Sequence, residues 1–305
     1  MNKNYIKRGC PSCDTSHATA NLVMSSSPTA EELSFEKLQD YWRGFRKRSV
    51  FFSYYRCSVC ELLFCPIYFS EDQLEVLYSD MGDNSAGSEF DSLKKTQSSY
   101  FQALQTKTKL VGHWIEIGAD LGNFAKLLSD DPGVTSLTII EPNLNSHIFL
   151  GGSVKGQGSL ASNWSEISAE SRFSGLVAIH VLDHLINLKL DLERIRQRLE
   201  AGGSVFFVTH DESSLLRKVL RSKWPPFCLQ HPQIFSKNSM RRSLEIAGFN
   251  NIYIAKSSNF FTLRHIVTVV TALFGFGKSL LKITPKLTLK IQLGNIMTHA
   301  EKLKV

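Results

Sequence analysis

The stretch His113-Trp-Ile-Glu-Ile-Gly-Ala-Asp-Leu-Gly-Asn-Phe-Ala-Lys-Leu-Leu128 constrains the fold more than any other part of the chain. Trp114 to Ile117 read as a short buried strand, Gly118 to Gly122 as a tight turn, and Asn123 to Leu128 as the start of a helix. Strand, glycine turn and helix in that order make a nucleotide-type site. The glycines let the backbone approach a ligand, and the helix start offers N–H groups that the helix itself leaves without acceptors. The next strand, Leu137-Thr-Ile-Ile-Glu141, ends on an acid, followed by Pro142. Glu141 stands where a carboxylate accepts hydrogen bonds from both hydroxyls of a ribose.

From there the chain alternates. A helix from about residue 95 to 110 leads into the opening strand. After the second strand come a helix near Leu144 to Leu150, a strand over Ser174 to Val181, a helix over Lys189 to Leu199, and a strand over Ser204 to Thr209. Then follow a helix over Ser239 to Ala247, a strand over Asn251 to Ala255, and a last strand in Asn295 to Ala300. This order predicts an α/β fold, a Rossmann-like doubly wound sheet that is mainly parallel, with its ligand at the carboxyl ends of the strands. The third strand is poorly marked. Phe260 to Ile283 interrupts the rhythm with an apolar run, too short and too broken by glycine to span a membrane. The expectation is a buried or partner-facing helical insertion near 260–285. A membrane-surface helix, with Arg264, Lys278 and Lys282 at its ends, is the alternative.

The N-terminal part carries Cys10-Pro-Ser-Cys13 and Cys57-Ser-Val-Cys60, with a helix-like segment over Ala30 to Arg48 and a strand over Val50 to Tyr55 between them. No apolar run follows the basic start, so no secretory signal is expected and the compartment is taken as cytoplasmic and reducing. Under those conditions two Cys-x-x-Cys pairs supply four thiolates for a structural Zn²⁺: Cys10, Cys13, Cys57 and Cys60. Zinc knuckles often have glycine after the second cysteine, where this chain has Asp14 and Glu61. Cys65, on an apolar stretch, reads as packing. A capped helix over Ser70 to Leu77 follows. Residues 1–80 are therefore expected to form a zinc-binding domain, 81–94 a linker rich in Gly, Asn, Asp and Ser, and 95–305 the ligand-binding domain.

Charge enters because it is uneven. The net charge is +7, and from Leu215 onward the only acidic residues are Glu245 and Glu301. Such a half suits phosphate, nucleic acid or an anionic surface, and equally a solvated basic face. The basic residues are dispersed among apolar ones without a dense tract, so nucleic acid is not the expected partner.

These residues resemble the class I S-adenosylmethionine (SAM)-dependent methyltransferases. Glu116-Ile-Gly-Ala-Asp-Leu-Gly122 is similar to their first motif, E/D-x-G-x-G-x-G, which holds the methionine part of the cofactor. The resemblance implies that Glu116, Gly118, Ala119, Asp120 and Gly122 line that part, with Glu141 on the ribose and Pro142 beside it. Asp120 replaces the motif's middle glycine and puts a carboxylate beside the cofactor's path. A narrower resemblance is to bacterial deoxysugar C-methyltransferases and polysaccharide-cluster methyltransferases. These carry two N-terminal Cys-x-x-Cys pairs, a H-x-L-E-H segment and a late H…F-S…S…G-F segment. Here those read His180-Val-Leu-Asp-His184 and His231-Pro-Gln-Ile-Phe-Ser236 with Ser239 and Gly248-Phe249.

Methyl transfer is an in-line displacement on an activated methyl group, so the protein aligns the acceptor and excludes water. Where the acceptor is a hydroxyl or a carbon beside a carbonyl, a base must also take a proton. His184 is the expected base, oriented by Asp183 or by a backbone carbonyl; the structural alternative is a helix-capping role. His231 is a second base or a substrate contact, and His180 is expected to line the cofactor pocket through its backbone. Trp164 and Ser159 fall where such folds reach the adenine, with a core role for Trp164 as the alternative. The expected function is methylation, on carbon or oxygen, of a small sugar-type or nucleotide-linked acceptor. An RNA methyltransferase and a non-catalytic protein on the same fold are the alternatives.

Overall fold

A computed structural model of the chain describes residues 5–42, 50–79, 90–274, 287–292 and 294–304. Its centre is a seven-stranded sheet of β1 (Gly112–Ile117), β2 (Val134–Ile140), β3 (Leu160–Ala161), β4 (Phe173–Ile179), β5 (Leu199–His210), β6 (Asn250–Lys256) and β7 (Asn295–Glu301). Across the sheet the order is β6-β7-β5-β4-β1-β2-β3. Strands β1 to β5 are parallel, and β7 runs antiparallel to both β5 and β6. The chain winds outward from β1 through β2 to β3 and then returns to the other side of β1 as β4. The β1/β4 boundary is thus the switch point at which a doubly wound sheet takes its ligand.

Side chains alternate faces along each strand, as a pleat requires. Ile115, Leu176, Ala178, Val205 and Phe207 share one core with Leu192 and Ile195 of the helix Leu188–Arg198 and with Met240 and Leu244 of the helix Lys237–Ile246. Trp114, Val177, Phe206 and Val208 share the other with Tyr100 and Leu104 of the helix Phe90–Gln105 and with Phe124 and Leu128 of the helix Asn123–Asp130. Each such side chain contributes about 1.5–3 kcal/mol by leaving water. Gly175 makes one contact possible: a Cβ there would lie 2.4 Å from the Trp114 ring, so the indole of β1 crosses β4 only because residue 175 has none.

The N-terminal residues form a second, smaller antiparallel sheet in the order Gln233–Ile234, Leu63–Phe64, Tyr54–Arg56, Asn21–Met24. Its edge strand comes from far along the chain, between β5 and β6. The same excursion sends Trp224, Phe227, Leu229 and Ile234 into an aromatic core with Trp42, Phe51, Phe52, Tyr54, Tyr68 and Phe69. Arg8 fastens the join, donating to the carbonyls of Cys65 (2.9 Å), Ile186 (2.7 Å) and Pro232 (2.8 Å). Arg56 adds a bidentate pair to Glu212 at 2.8 and 3.1 Å. Cys65 is buried in the aromatic core, as packing requires.

Several expected elements change shape. In place of one helix over Ala30 to Arg48 there is a short 3₁₀ turn, Ala30–Glu32, and a helix over Phe35–Trp42; the remainder lies outside the described residues. The helix before β1 begins at Phe90, inside the expected linker, most of which also lies outside them. The expected helical insertion near 260–285 opens as a strand, Asn259–Thr262, paired with Thr288–Ile291, and only then turns into a helix over Leu263–Phe274. Thr262 ends that strand and caps the helix through its Oγ1, which accepts from His265 N at 3.1 Å. Residues 275–286 lie outside the described ones. No helix of the described residues is long and apolar enough to cross a membrane.

Candidate active site

Register brings the candidate residues to one edge. Ile117 pairs with Ile140 and with Ala178, and Ile179 pairs with Val208, so Gly118, Glu141 and His180 follow the carboxyl ends of adjacent strands and His210 ends the next. The glycine turn is built as its motif suggests. Gly118 (φ 70°) and Gly122 (φ 74°) are left-handed, and a Cβ at Gly122 would meet Leu150 at 2.8 Å. Asp120 is left-handed as well (φ 50°), a conformation that Asp tolerates better than most residues. Its N–H donates to Glu141 Oε2 at 2.8 Å, while Asn143 N–H donates to Oε1 at 2.8 Å. Glu141 therefore clamps the turn after β1 to the turn after β2. Ala119 is buried in the core behind the turn.

Glu116 is buried, and its Oε2 has no hydrogen-bond partner among the described residues. Burial, with the Glu141 charge nearby, pushes its carboxyl up to about 8. Of the expected adenine contacts, Ser159 is a backbone element whose carbonyl accepts from Ile139 N at 2.8 Å. The Trp164 ring is partly buried against the core, with the Arg198 guanidinium 5.7 Å from its centre.

A second cluster lies beyond β4 and β5. Asp183 is fully buried, and its Oδ2 accepts from His210 Nδ1 at 2.9 Å and from His210 N at 3.2 Å. Burial opposes its charge, but His210 and His180 around it win and hold its pKa well below the usual range. The expected pairing of Asp183 with His184 is thereby corrected: Asp183 serves His210, which no motif singles out. His184 Nδ1 faces the Tyr78 hydroxyl at 3.3 Å, and its ring meets that of His231 edge-on at 4.7 Å. The rings of His180 and His231 lie 4.6 and 4.8 Å from that of His210. Burial lowers His184 to about 3 and His210 to about 4, leaving both neutral. For His231 burial also pulls down, but Cys228, 3.4 Å from Nδ1, outweighs it and raises the imidazole to about 9. His231 Nδ1 donates to Pro226 O at 2.8 Å, and Tyr54 OH donates to His231 O at 2.6 Å. His180 is left-handed (φ 55°), and its N–H donates to Val208 O at 2.8 Å. The N-terminal unit and the excursion thus supply the outer wall.

The four cysteines converge. Cys10 Sγ lies 3.3 Å from Cys60 Sγ and Cys13 Sγ 3.5 Å from Cys57 Sγ, and all four sulfurs lie within 4.8 Å of one another. Tetrahedral zinc, with Zn–S near 2.3 Å, wants sulfurs about 3.8 Å apart. The two knuckles are built alike. Cys10 N donates to Thr15 O and Asp14 N to Cys10 O; Cys57 N donates to Leu62 O and Glu61 N to Cys57 O. Asp14 (φ 58°) and Glu61 (φ 63°) hold the left-handed position that glycine often takes there, so the turn is kept without it.

A family model described as a methyltransferase domain matches residues 93–254. The chain belongs to that family and is a class I SAM-dependent methyltransferase. No curated protein matches it significantly. Among solved structures, a chain of the complex between the Haloferax volcanii Trm112 methyltransferase activator and a methyltransferase aligns over 70% of this chain and 93% of its own, at 10% identity and a TM-score of 0.51. A SAM-dependent methyltransferase from Thermotoga maritima aligns over 70% and 92%, at 16% identity and a TM-score of 0.47. The N-methyltransferase NodS from Bradyrhizobium japonicum, bound to S-adenosyl-L-homocysteine, aligns over 73% and 93%, at 13% identity and a TM-score of 0.45. At these identities the likeness concerns the fold.

Proposed function

We propose that the chain transfers the methyl group of SAM to a small sugar-type or nucleotide-linked acceptor whose proton is taken by an imidazole beyond β4 and β5. The observation that carries this reading is the set of histidines around buried Asp183, on the same sheet edge as the glycine turn. SAM supplies the activated methyl group. Glu116, with its unmatched buried Oε2, fits the cofactor's ammonium; Gly118, Ala119, Asp120, Gly122 and Pro142 frame its methionine part and ribose, and Glu141 accepts the ribose hydroxyls on lone pairs left beside its two backbone bonds. Ser159 and the backbone of His180 border the cofactor. Asp183 fixes the tautomer of His210 by accepting from Nδ1, which leaves Nε2 as the lone-pair nitrogen. His184 and His231 stand next to it as base and acceptor contact. Being neutral at neutral pH, His184 and His210 keep a lone pair free to accept a proton from a hydroxyl or from a carbon beside a carbonyl.

The N-terminal unit, residues 1–80 in the sequence reading, is proposed to hold one structural Zn²⁺ on Cys10, Cys13, Cys57 and Cys60 and to act from the cytoplasm with the rest of the chain. Its seam with the larger unit gives it the role of a fixed wall over the acceptor rather than a hinged lid. Calorimetry with SAM, followed by mass spectrometry of nucleotide-sugar mixtures incubated with the enzyme and labelled SAM, tests the reading. Binding of SAM with label on a sugar nucleotide is the expected result; label on RNA alone would replace the acceptor class.

A further inference from the structure

We propose that His180, Asp183 and His210 form a binding site for one divalent transition-metal ion, distinct from the cysteine cluster. One ligand atom from each of the three lies within 4.8 Å of the other two. Asp183 Oδ2 is 2.9 Å from His210 Nδ1 and 3.9 Å from His180 Nδ1. Two atoms bound about 2.1 Å from one ion are about 3.0 Å apart at a right angle and about 3.4 Å apart at a tetrahedral angle. The His210 pair already has that spacing: the ion would replace the proton that Nδ1 donates to Oδ2, the ring proton then residing on Nε2 with His184 left as the base, and a rotation of His180 supplies the other contact.

The hydrogen bond between Asp183 and His210 does not account for the whole group. Asp183 Oδ1 and His180 Nδ1 are both buried with no hydrogen-bond partner among the described residues, although Asp183 is fully enclosed. A buried polar atom left unmatched is costly, and more so when it carries charge. An ion between the three side chains would take up His180 Nδ1 and compensate the charge of the carboxylate. Two imidazoles and a carboxylate on one side of an ion are a ligand set for Fe²⁺, Co²⁺, Zn²⁺ or Mn²⁺ that leaves further positions open. His180 is left-handed (φ 55°) with its N–H on Val208 O, and the 3₁₀ turn Leu182–His184 that follows carries Asp183.

The open positions face a site that the methyl-transfer reading assigns to the acceptor, and only this last step rests on that reading. An oxygen of the acceptor, hydroxyl or carbonyl, would complete the coordination and become easier to deprotonate there. The site therefore selects oxygen-bearing acceptors over amines.

The test uses the full-length protein with its cysteine cluster first saturated with zinc. Titration with Co²⁺, followed by calorimetry and visible absorption, should show one further equivalent with weak d–d bands and no thiolate charge transfer. His210→Ala and, independently, His180→Ala should each weaken that binding more than tenfold, with zinc content and circular dichroism unchanged. His184→Gln should leave it within about twofold. Absence of a second equivalent with Co²⁺, Mn²⁺ and Zn²⁺ alike, or full affinity in both alanine variants, would overturn the site; a tenfold loss in His184→Gln would overturn the ligand set. SAM calorimetry on the same sample separates the two ideas. Metal without SAM binding defeats the methyl-transfer reading alone, and SAM without metal binding defeats this site alone.

Discussion

The turn between β1 and β2 and the cluster beyond β4 and β5 lie on one sheet edge but are made in opposite ways. The first is local: Glu116, Gly118, Asp120, Gly122 and Glu141 come from two neighbouring strands and their turns, and its bonds are mostly backbone N–H to carboxylate. The second is assembled from distant pieces. Tyr54 and Tyr78 come from the N-terminal unit, His180 to His184 from the end of β4, His210 from the end of β5, and Cys228 and His231 from the excursion. A part built locally survives damage elsewhere, whereas an assembled part depends on everything that holds its pieces. Changes far from both should therefore affect the second first.

The largest effect expected is on the cysteine cluster. Cys10, Cys57 and Cys60 are buried in the same core as β4 and β5, so losing the metal proposed for them would open the wall of the histidine cluster. Cys57→Ser should cost about 4 kcal/mol or more, the range reached when a metal site is lost, and should abolish methyl transfer. SAM affinity in the surviving fold should fall less than the activity does. Urea unfolding and calorimetry at matched folded fraction check this, and parallel loss of both would break the contrast between a local and an assembled part.

Next in size is Asp183→Asn. The amide can hold the shape but not fix the His210 tautomer in the same way, and the carboxylate that favours positive charge on the ring is gone. Turnover should fall about 10²- to 10⁴-fold, the usual share of a positioned acid–base group. The dissociation constant for SAM should move less than about twofold, since Glu116 and Glu141 are untouched. A comparable loss of SAM affinity would mean that the two regions are one unit.

The same division explains what could be read from the sequence. The turn was legible because its residues are contiguous and their spacing is the motif; the strand, the left-handed glycines and Glu141 follow directly. The two cysteine pairs were legible for the same reason, and the knuckle turns form around Asp14 and Glu61 despite the absent glycines. His210 was not. It carries no motif and is distinguished only by being the last residue of β5, one residue beyond the position level with His180 once β5 pairs with β4. Counting one residue past the expected strand Ser204 to Thr209 would have found it. The strand Gln233–Ile234 is too short to show alternation, and it forms only because Leu63–Phe64 offers an edge. Trp164 was ambiguous because an aromatic ring after a short strand suits a core as well as an adenine, and its ring is only partly buried beside Arg198.

A smaller effect sharpens the contrast through pH. Glu116 has its pKa raised from 4.5 to about 8 in the folded protein, by burial first and Glu141 second. Between those values the native state keeps a proton that the unfolded chain has released, so the stability of the ligand-free protein falls as pH rises from about 4.5 to 8 and levels off above. At 1.4 kcal/mol per unit the total is on the order of a few kcal/mol. Glu116→Gln should remove that slope and be more stable than the parent at pH 8.5, while losing SAM affinity. Urea unfolding at pH 5.5, 7 and 8.5 gives the comparison; a difference between the two proteins that does not change with pH would show that Glu116 is ionised throughout.

The smallest effect concerns Asp120, the residue at which the turn departs from its motif. Its backbone already has the glycine conformation, and the bond from its N–H to Glu141 is one that glycine keeps. Asp120→Gly relieves a left-handed side chain, about 1 kcal/mol for most residues and less for Asp. Against that stands the added chain entropy of glycine, about 0.5–1 kcal/mol. Stability should therefore change by less than about 1 kcal/mol in either direction, and SAM affinity by less than about threefold. A tenfold gain in affinity would show that the carboxylate obstructs the cofactor, and a tenfold loss that it binds the cofactor's cationic groups. Either result would shift the weight of the turn from its backbone to a side chain, and with it the contrast with the histidine cluster, where side chains make the site.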